Sequence, residues 1–314
     1  KFASKRAYGN WELSADRANA AWLEAEAAAL GGSARREGFP FRKLEPQAAW
    51  LDVDGRRFEG VPIFDGGLTG PEGVTGVLGP AGSAAPIGVA ADVPVQGPHP
   101  RFDTALALGI HRALVAWTVG ALPGLRLRNA ERLEDPFATP VLQLGGAGQD
   151  WLVQRMRQGA EATLTLTGTQ SAATAENVVI EVPGQEPDAA PVILLTPRTS
   201  WWHTCAEQGT GVALQLEILR AVAKRKPRRP VWGLFTSGHE LGYRGAQHFL
   251  ADHPELGTGA HCWLHLGSSL GAADGRNLWL YGSDYALSRQ AQAAFRAAGL
   301  NRQGMADYTV GAIG

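Results

Sequence analysis

The run Val231-Trp232-Gly233-Leu234-Phe235-Thr236-Ser237-Gly238-His239-Glu240-Leu241-Gly242-Tyr243-Arg244-Gly245-Ala246 joins two different patterns. Its first six residues are apolar and β-prone, whereas from Leu241 to Ala251 the apolar residues take up helical spacing. A strand that feeds a helix is the unit of an open α/β sheet, whose functional edge lies at the C-terminal ends of its strands. Ser237, His239 and Glu240 follow the strand directly and are therefore expected on such a rim.

The alternation extends outward from this run. Strands are predicted at Val178–Val182, Val192–Thr196 and Cys262–Leu266, and helices at Gly211–Ala223 and Ala286–Ala298. The first two strands are expected to form a hairpin around Pro183-Gly184. Beyond them the pattern predicts a mostly parallel or mixed sheet flanked by helices, with the residues after Thr196, Thr236 and Leu266 converging on one rim. On the N-terminal side, Ser14 is a candidate N-cap with Asp16 in the first turn. Ala20, Leu23, Ala27 and Leu30 then recur at helical spacing until Gly31-Gly32. Between Trp50 and Thr169 the texture changes to short β-prone runs, such as Val61-Pro62-Ile63-Phe64 and Thr163-Leu164-Thr165-Leu166, separated by Gly/Pro-rich turns. A helix leading into a strand is predicted within Thr104–Trp117, and a short helix at Trp151–Gln158. The expected organisation is an α/β domain of residues 1–50 and 170–314, interrupted by a β-rich insert at 51–169.

With 45% hydrophobic and 19% charged residues over 314 positions, the composition is that of a folded globular chain. A formal net charge of -1 offers no general attraction to nucleic acid or to an anionic membrane. The basic cluster Lys224, Arg225, Lys226, Arg228 and Arg229 ends a predicted helix, where cations oppose the negative end of the macrodipole. No apolar stretch approaches the roughly 20 residues of a membrane-spanning helix. Cys205 and Cys262 are too few for a disulfide framework. A bridge between them is disfavoured, because one follows a strand's end and the other begins a strand aimed at the same rim. The chain opens on Lys1 rather than Met, so a processed or earlier start stays open, and the sequence points to no compartment.

Four segments in order carry a family resemblance. Asn177-Val178-Val179-Ile180-Glu181-Val182-Pro183-Gly184, Pro191-Val192-Ile193-Leu194-Leu195, Gly209-Thr210-Gly211-Val212-Ala213 and Phe235 to Ala246 resemble the core of the M28 aminopeptidases. The β-rich stretch is similar to the protease-associated domain that many members carry as an insert. The resemblance implies a zinc-aminopeptidase-like fold, a rim site for two zinc ions held by His and carboxylate ligands, and a Glu as general base. Zinc lowers the pKa of its bound water and polarises the peptide carbonyl. Carried over residue by residue, the first ligand His of a His-x-Asp motif falls at Arg198-Thr199-Ser200. The bridging Asp matches Glu207, the general base matches His239, the neighbouring carboxylate ligand matches Glu240, and the next ligand Asp matches Gly267. A final His would lie beyond Gly314, where the C-terminal part of the domain is expected. A guanidinium at position 198 cannot be deprotonated and repels a divalent ion by several kcal/mol, on the order of 4 kcal/mol per unit charge at about 4 Å. A dismantled metal site with no metal cofactor is therefore expected, zinc being the alternative. Arg198 is expected to take the metal's electrostatic place by bridging Glu207 and Glu240.

Other readings of the polar residues stay open. His203, Cys205, Glu207, His239 and Glu240 have the chemistry of a single-metal site, or His203 and His239 are hydrogen-bonded pocket residues and Cys205 a small buried hydrophobe. Ser200 with His203 or His239, oriented by Glu240, has the makings of a nucleophile and base, but no Gly-x-Ser-x-Gly elbow surrounds it. Trp201 and Trp202 read as an apolar wall or as an aromatic platform beside the cleft. His261 and His265 share one strand face without a third ligand, and Gly145-Gly146-Ala147-Gly148 lacks a dinucleotide fingerprint. Three functions follow: a non-catalytic homologue that binds a protein or peptide in the old cleft, a hydrolase with an altered mononuclear site, and an assembly protein whose contacts lie on the insert.

Overall fold

In the computed structural model, which describes residues 11–94, 96–118, 124–201, 205–267 and 282–299, the chain opens with helix α1 (Trp11–Ala29). Ala20, Leu23 and Ala27 on its inner stripe are almost completely buried. Gly31, at φ 67, ends it. Strand β1 (Ser33–Val53) follows, and a turn at Asp54-Gly55, both left-handed, returns the chain into β2 (Arg56–Glu59). Strands β3 (Val61–Pro62), β4 (Val74–Pro80), β5 (Ile87–Val93), β6 (Ala113–Thr118) and β7 (Val141–Leu144) come next, with helix α2 (Pro100–Ala107) between β5 and β6 and helix α3 (Gln149–Arg157) after β7. Strand β8 (Glu161–Val182) runs antiparallel to β1 from Ser33↔Glu181 to Val53↔Ala162, with a bulge at Pro46/Ala48.

The second half supplies β9 (Val192–Pro197), a π-helical turn (Cys205–Gly209), α4 (Thr210–Arg225), β10 (Val231–Thr236), α5 (Arg244–Asp252), α6 (Pro254–Gly259), β11 (Cys262–His265) and α7 (Tyr285–Ala297). The strand order is β11-β9-β10-β8-β4-β5-β6-β7-β3, with β1 and β2 off this path. The expected hairpin between Val178–Val182 and Val192–Thr196 does not form. Instead β10 lies between them, antiparallel to β8 and parallel to β9. The physical reason lies in the partners: parallel pairing of β9 with both β10 and β11 needs a crossover connection, which α4 provides. Helix α5 starts at Arg244 rather than Leu241, because Gly242 (φ 75) and Tyr243 (φ 57) are left-handed.

The continuous apolar runs of β8, β9 and β10 are buried on both faces, as a sheet covered on both sides requires. Val178, Ile180 and Val182 meet Leu23 of α1 and Val212, Leu216 and Leu219 of α4 on one face. Val179, Ile193 and Leu234 meet Phe249 of α5 and Leu256 of α6 on the other. A separate cluster, centred on Leu51, Ile87, Val115, Leu142, Leu152 and Leu164, fills the β-rich half. The expected domain borders at 50/51 and 169/170 fall within β1 and β8. Among the described residues no helix is long and apolar enough to cross a membrane. Lys224 and Arg225 occupy the last turn of α4 and Arg228 pairs with Glu186, which accounts for much of the basic cluster as helix capping and surface pairing.

Leu164 is fully buried where β8, β1 and β4 meet. Leu164→Ala should cost about 2–5 kcal/mol of unfolding free energy. A denaturant titration should show this as a lower midpoint with an unchanged slope.

Candidate active site at the sheet rim

The C-terminal ends of β9, β10 and β11 form one rim, as the sequence pattern requires. Beneath it lies a buried polar knot. The Arg198 side chain is 0% exposed and that of Asp16 5%, and Arg198 Nη2 stands 2.8 Å from Asp16 Oδ1. Arg198 Nη1 donates to the Asp16 carbonyl at 2.9 Å and to Asn19 Oδ1 at 3.3 Å, while Nη2 also donates to the Glu176 carbonyl on β8. Ser237 Oγ donates to the same Asp16 Oδ1 at 2.7 Å. Asn177 accepts from Ser237 N at 3.1 Å and donates to the Gly245 carbonyl at 2.8 Å. A Cβ at Gly245 would fall 2.3 Å from Asn177 Oδ1, so only glycine lets α5 start this close to β8. Five segments, α1, β8, the loops after β9 and β10, and α5, are thus tied by one network of side chains, in which Asp16 Oδ2 and Arg198 Nε are buried without a hydrogen-bond partner.

Burial pulls the Arg198 guanidinium below its ordinary range, and the Asp16 carboxylate acts against that. The arginine remains a cation at neutral pH. The expected bridge from Arg198 to Glu207 and Glu240 is not what forms: the guanidinium turns inward to α1. Asp16 is a carboxylate already inside the fold, and it gives Arg198 a short contact out of water.

The carboxylates of the rim find other partners. Glu207 is exposed in the π-helical turn, and Ser200 Oγ donates to its Oε2 at 3.3 Å. Glu240 is buried, and its Oε1 accepts from Gln208 Nε2 at 3.3 Å. Thr199 Oγ1 accepts from Gly238 N at 2.9 Å. His239 lies edge-on to Tyr243, with ring centroids 4.8 Å apart. Burial, and then the neighbouring His265, lower the His239 pKa to about 4. His265 is itself lowered by desolvation, although part of its ring reaches solvent. Gly267 offers no side chain to the rim, and a Cβ there would meet no atom within 4 Å. Cys262 is a free thiol, raised by burial.

The β-rich half closes over this rim. Trp201 Nε1 donates to Asn129 Oδ1 at 3.1 Å, and its ring lies 4.8 Å from Phe64 against a cluster containing Leu44, Leu127 and Ala130. Trp201 is therefore a packing wall. Ala130 N donates to the Glu240 carbonyl at 2.8 Å, Gln96 Nε2 to the Tyr243 hydroxyl at 2.6 Å, and Arg244 pairs with Glu134. Trp202 and His203 lie outside the described residues, as does the side chain of Cys205. Sequence reasoning missed Asp16, Asn177, Asn129 and Ala130 as site residues. Asp16 alone carried a signal, as an acid in the first turn of a helix.

Among the described residues, no three His, Cys, Asp or Glu side chains come together as a metal site would need. The profile of Peptidase family M28 matches residues 205–308, the π-helical turn through α7 and beyond. Over that segment the chain resembles the M28 peptidases. Its fold is that of a zinc aminopeptidase from Bacillus subtilis, at 16% identity over 92% of this chain and 72% of that one, with a TM-score of 0.74. An aminopeptidase from Aneurinibacillus sp. strain AM-1 gives 18% identity, 90% and 71% coverage and a TM-score of 0.63. A peptidase M28 precursor from Shewanella amazonensis SB2B gives 15%, 94% and 76%, and 0.66. No curated protein sequence matches the chain. The structural likeness establishes a shared fold, and identities this low leave the chemistry of the rim to the residues on it.

Two outcomes follow for these residues. Arg198→Ala leaves Asp16 buried without its cation and should cost about 3–5 kcal/mol, measured by denaturant unfolding. Restoring balance with the second change Asp16→Ala should recover part of that loss, as a double-mutant cycle would show. His239 titrates near 4 when folded against an ordinary 6.5, so between these values the unfolded chain binds the proton first. Stability should be full above about pH 6.5 and fall as pH drops towards about 4, by up to about 3 kcal/mol. His239→Gln should flatten that slope in an unfolding series across pH.

Proposed function

We propose that this M28-like chain does not carry out dinuclear zinc aminopeptidase chemistry and that its rim cleft binds a protein or peptide. The observation that carries the reading is Arg198. It stands where the resemblance puts the first His ligand, its side chain is fully buried, and its guanidinium is committed to Asp16. The donor set at the remaining matched positions does not fit a pair of zinc ions. Gly267 provides no donor, Glu207 faces solvent beside Ser200, and Glu240 is engaged by Gln208 and stands beside His239 rather than a second carboxylate. Zinc sites need three or four N, O or S donors on one centre, and a fixed cation nearby works against them. The β-rich stretch 51–169, read as a protease-associated-like insert, frames the cleft through Asn129, Ala130 and Gln96 and supplies contact surface for the partner. No sign of nucleic-acid recognition enters, since the chain has no excess of positive charge.

The alternative is a hydrolase with one metal ion. It is favoured by a single observation: His239 is held neutral down to about pH 4 beside His265, and neutral imidazole is the ligand form. Elemental analysis of protein dialysed against zinc and then against buffer separates the two. The binding reading expects far less than stoichiometric zinc and no release of amino acid from aminoacyl p-nitroanilides. One zinc per chain, with hydrolysis that disappears in both His239→Ala and Glu240→Ala, would sink it and establish the mononuclear enzyme.

A further inference from the structure

We infer that the outer edge of β8 between Gly168 and Ala175 accepts an extended peptide segment as an added strand. This deepens the binding reading above, on which it rests only for the partner being a peptide, and places the contact beside the rim rather than in it.

Strand β8 is bonded to β1 along one edge for nearly its whole length. Among the described residues, its other edge is occupied only at the ends. Strand β10 covers Val178 to Val182, and β4 covers Glu161 to Leu164, both antiparallel to β8. In an antiparallel ladder the N–H and C=O of one residue point to the same side, and the side alternates along the strand. Two contacts fix which residues face out. Leu166 donates its N–H to Thr69 Oγ1 at 2.9 Å and accepts from Thr69 N at 2.8 Å, and the Glu176 carbonyl accepts from Arg198. The register irregularity at Pro46/Ala48 lies in β1, so the alternation in β8 is unbroken from Leu166 to Glu176. Gly168, Gln170, Ala172 and Thr174 therefore present their N–H and C=O groups away from β1.

Among the described residues, none of those groups has a partner on that side. Thr169, Gln170, Ser171, Ala172 and Thr174 are exposed. Natural sheets blunt such an edge with Lys, Pro or a bulge. Between Gly168 and Ala175 β8 has none of these, only small or polar uncharged residues. The edge is protected from indiscriminate pairing by its position. It is recessed between β10 and β4, each of which stands one strand spacing, about 4.8 Å, outside β8.

The recess selects the occupant. In a second copy of this chain, β8 continues past the same stretch in both directions, so two β8 edges placed side by side would drive each β8 into the other copy's β10 and β4. A single extended segment fits instead, antiparallel to β8 and in line with β10 and β4. The open stretch is on the order of 27 Å long at about 3.4 Å per residue, room for a segment of about seven or eight residues. Backbone groups supply the bonding, and the uncharged side chains of Gly168 to Ala175 on β8 fit an uncharged, β-prone peptide. One end of the site lies at Glu176, where Arg198 holds β8 to the rim.

A synthetic octapeptide of alternating Thr and Val is the probe, with hydrogen exchange as the readout. In the free protein the amides of Gly168, Gln170, Ala172 and Thr174 should exchange fast, and saturating peptide should slow them by roughly tenfold or more. Ala172→Pro removes an outward N–H without touching the β1 ladder, so it should keep the melting temperature and weaken binding by up to about tenfold. Gln170→Pro reads the same bond pattern if that variant does not fold. No variant is needed for the third arm: a peptide N-methylated at alternate residues should still bind through its intact edge, and one N-methylated throughout should not. Failure to bind at millimolar peptide overturns the inference. So does concentration-dependent protection of those four amides without peptide, which would assign the edge to self-association. Binding that leaves the four amides unprotected and is lost in Glu207→Ala also overturns it, while leaving the peptide-binding reading of the rim standing.

Discussion

Strand β8 is the constraint to which the other elements answer. Its pairing with β1 spans Ser33↔Glu181 to Val53↔Ala162, and its opposite edge carries β10 at one end and β4 at the other. Because one strand belongs to both sheet regions, their hydrogen-bond registers cannot slip independently. A one-residue slip would turn Val178, Ile180 and Val182 away from α1 and α4 and, further along, turn Leu164 and Leu166 out of the β-rich core. Burial on both sides of the strand therefore locks both regions with one register.

The rim inherits its shape from that strand through charge. Glu176 and Asn177, where β8 passes the end of β10, are the two residues that the loops after β9 and β10 grip. Arg198 joins the first loop to α1, and Ser237 joins the second to the same Asp16 oxygen. A buried guanidinium and carboxylate do not of themselves add much net stability, since desolvation offsets most of their attraction. What they supply is specificity: any other arrangement of these loops strands a charge inside the protein. The same commitment removes Arg198 from the open face of the cleft, leaving His239, Glu240, Glu207 and Ser200 to define it.

Most of the strand and helix pattern was legible because each element is apolar at its own period. Ala20, Leu23 and Ala27 announced α1, and the runs at Val192, Val231 and Cys262 announced three strands of the sheet. Strand order was not legible. Pro183-Gly184 is a turn in any topology, and nothing local distinguishes a hairpin from a chain that leaves space for β10. The partner of Arg198 was hidden for a related reason. Asp16 lies 182 residues earlier and read as an ordinary first-turn acid, whereas Glu207 and Glu240 were close in the chain and of the right charge. The resemblance set Arg198 at a ligand position and electrostatics suggested a bridge to the two rim carboxylates, but the buried guanidinium turns to Asp16 instead.

The long ribbon and the rim are connected by a shared shortage of hydrogen-bond partners. Strand β10 ends at Thr236, and from there β8 runs on beside the rim with outward carbonyls and amides that no strand among the described residues takes up. Arg198 satisfies the first of these, at Glu176, by reaching down from the loop after β9. Thr69 satisfies the last, at Leu166, from the connection that leads into β4. Water can serve the groups between them at little cost because they are exposed, so the fold is not destabilised by the gap. An unpaired edge kept inside a rigid frame, with its two ends fixed by side chains rather than by strands, is ordered before any partner arrives. A peptide that pairs there loses its own freedom but requires none from β8, which is the condition under which main-chain bonding between a sheet edge and a short segment becomes favourable.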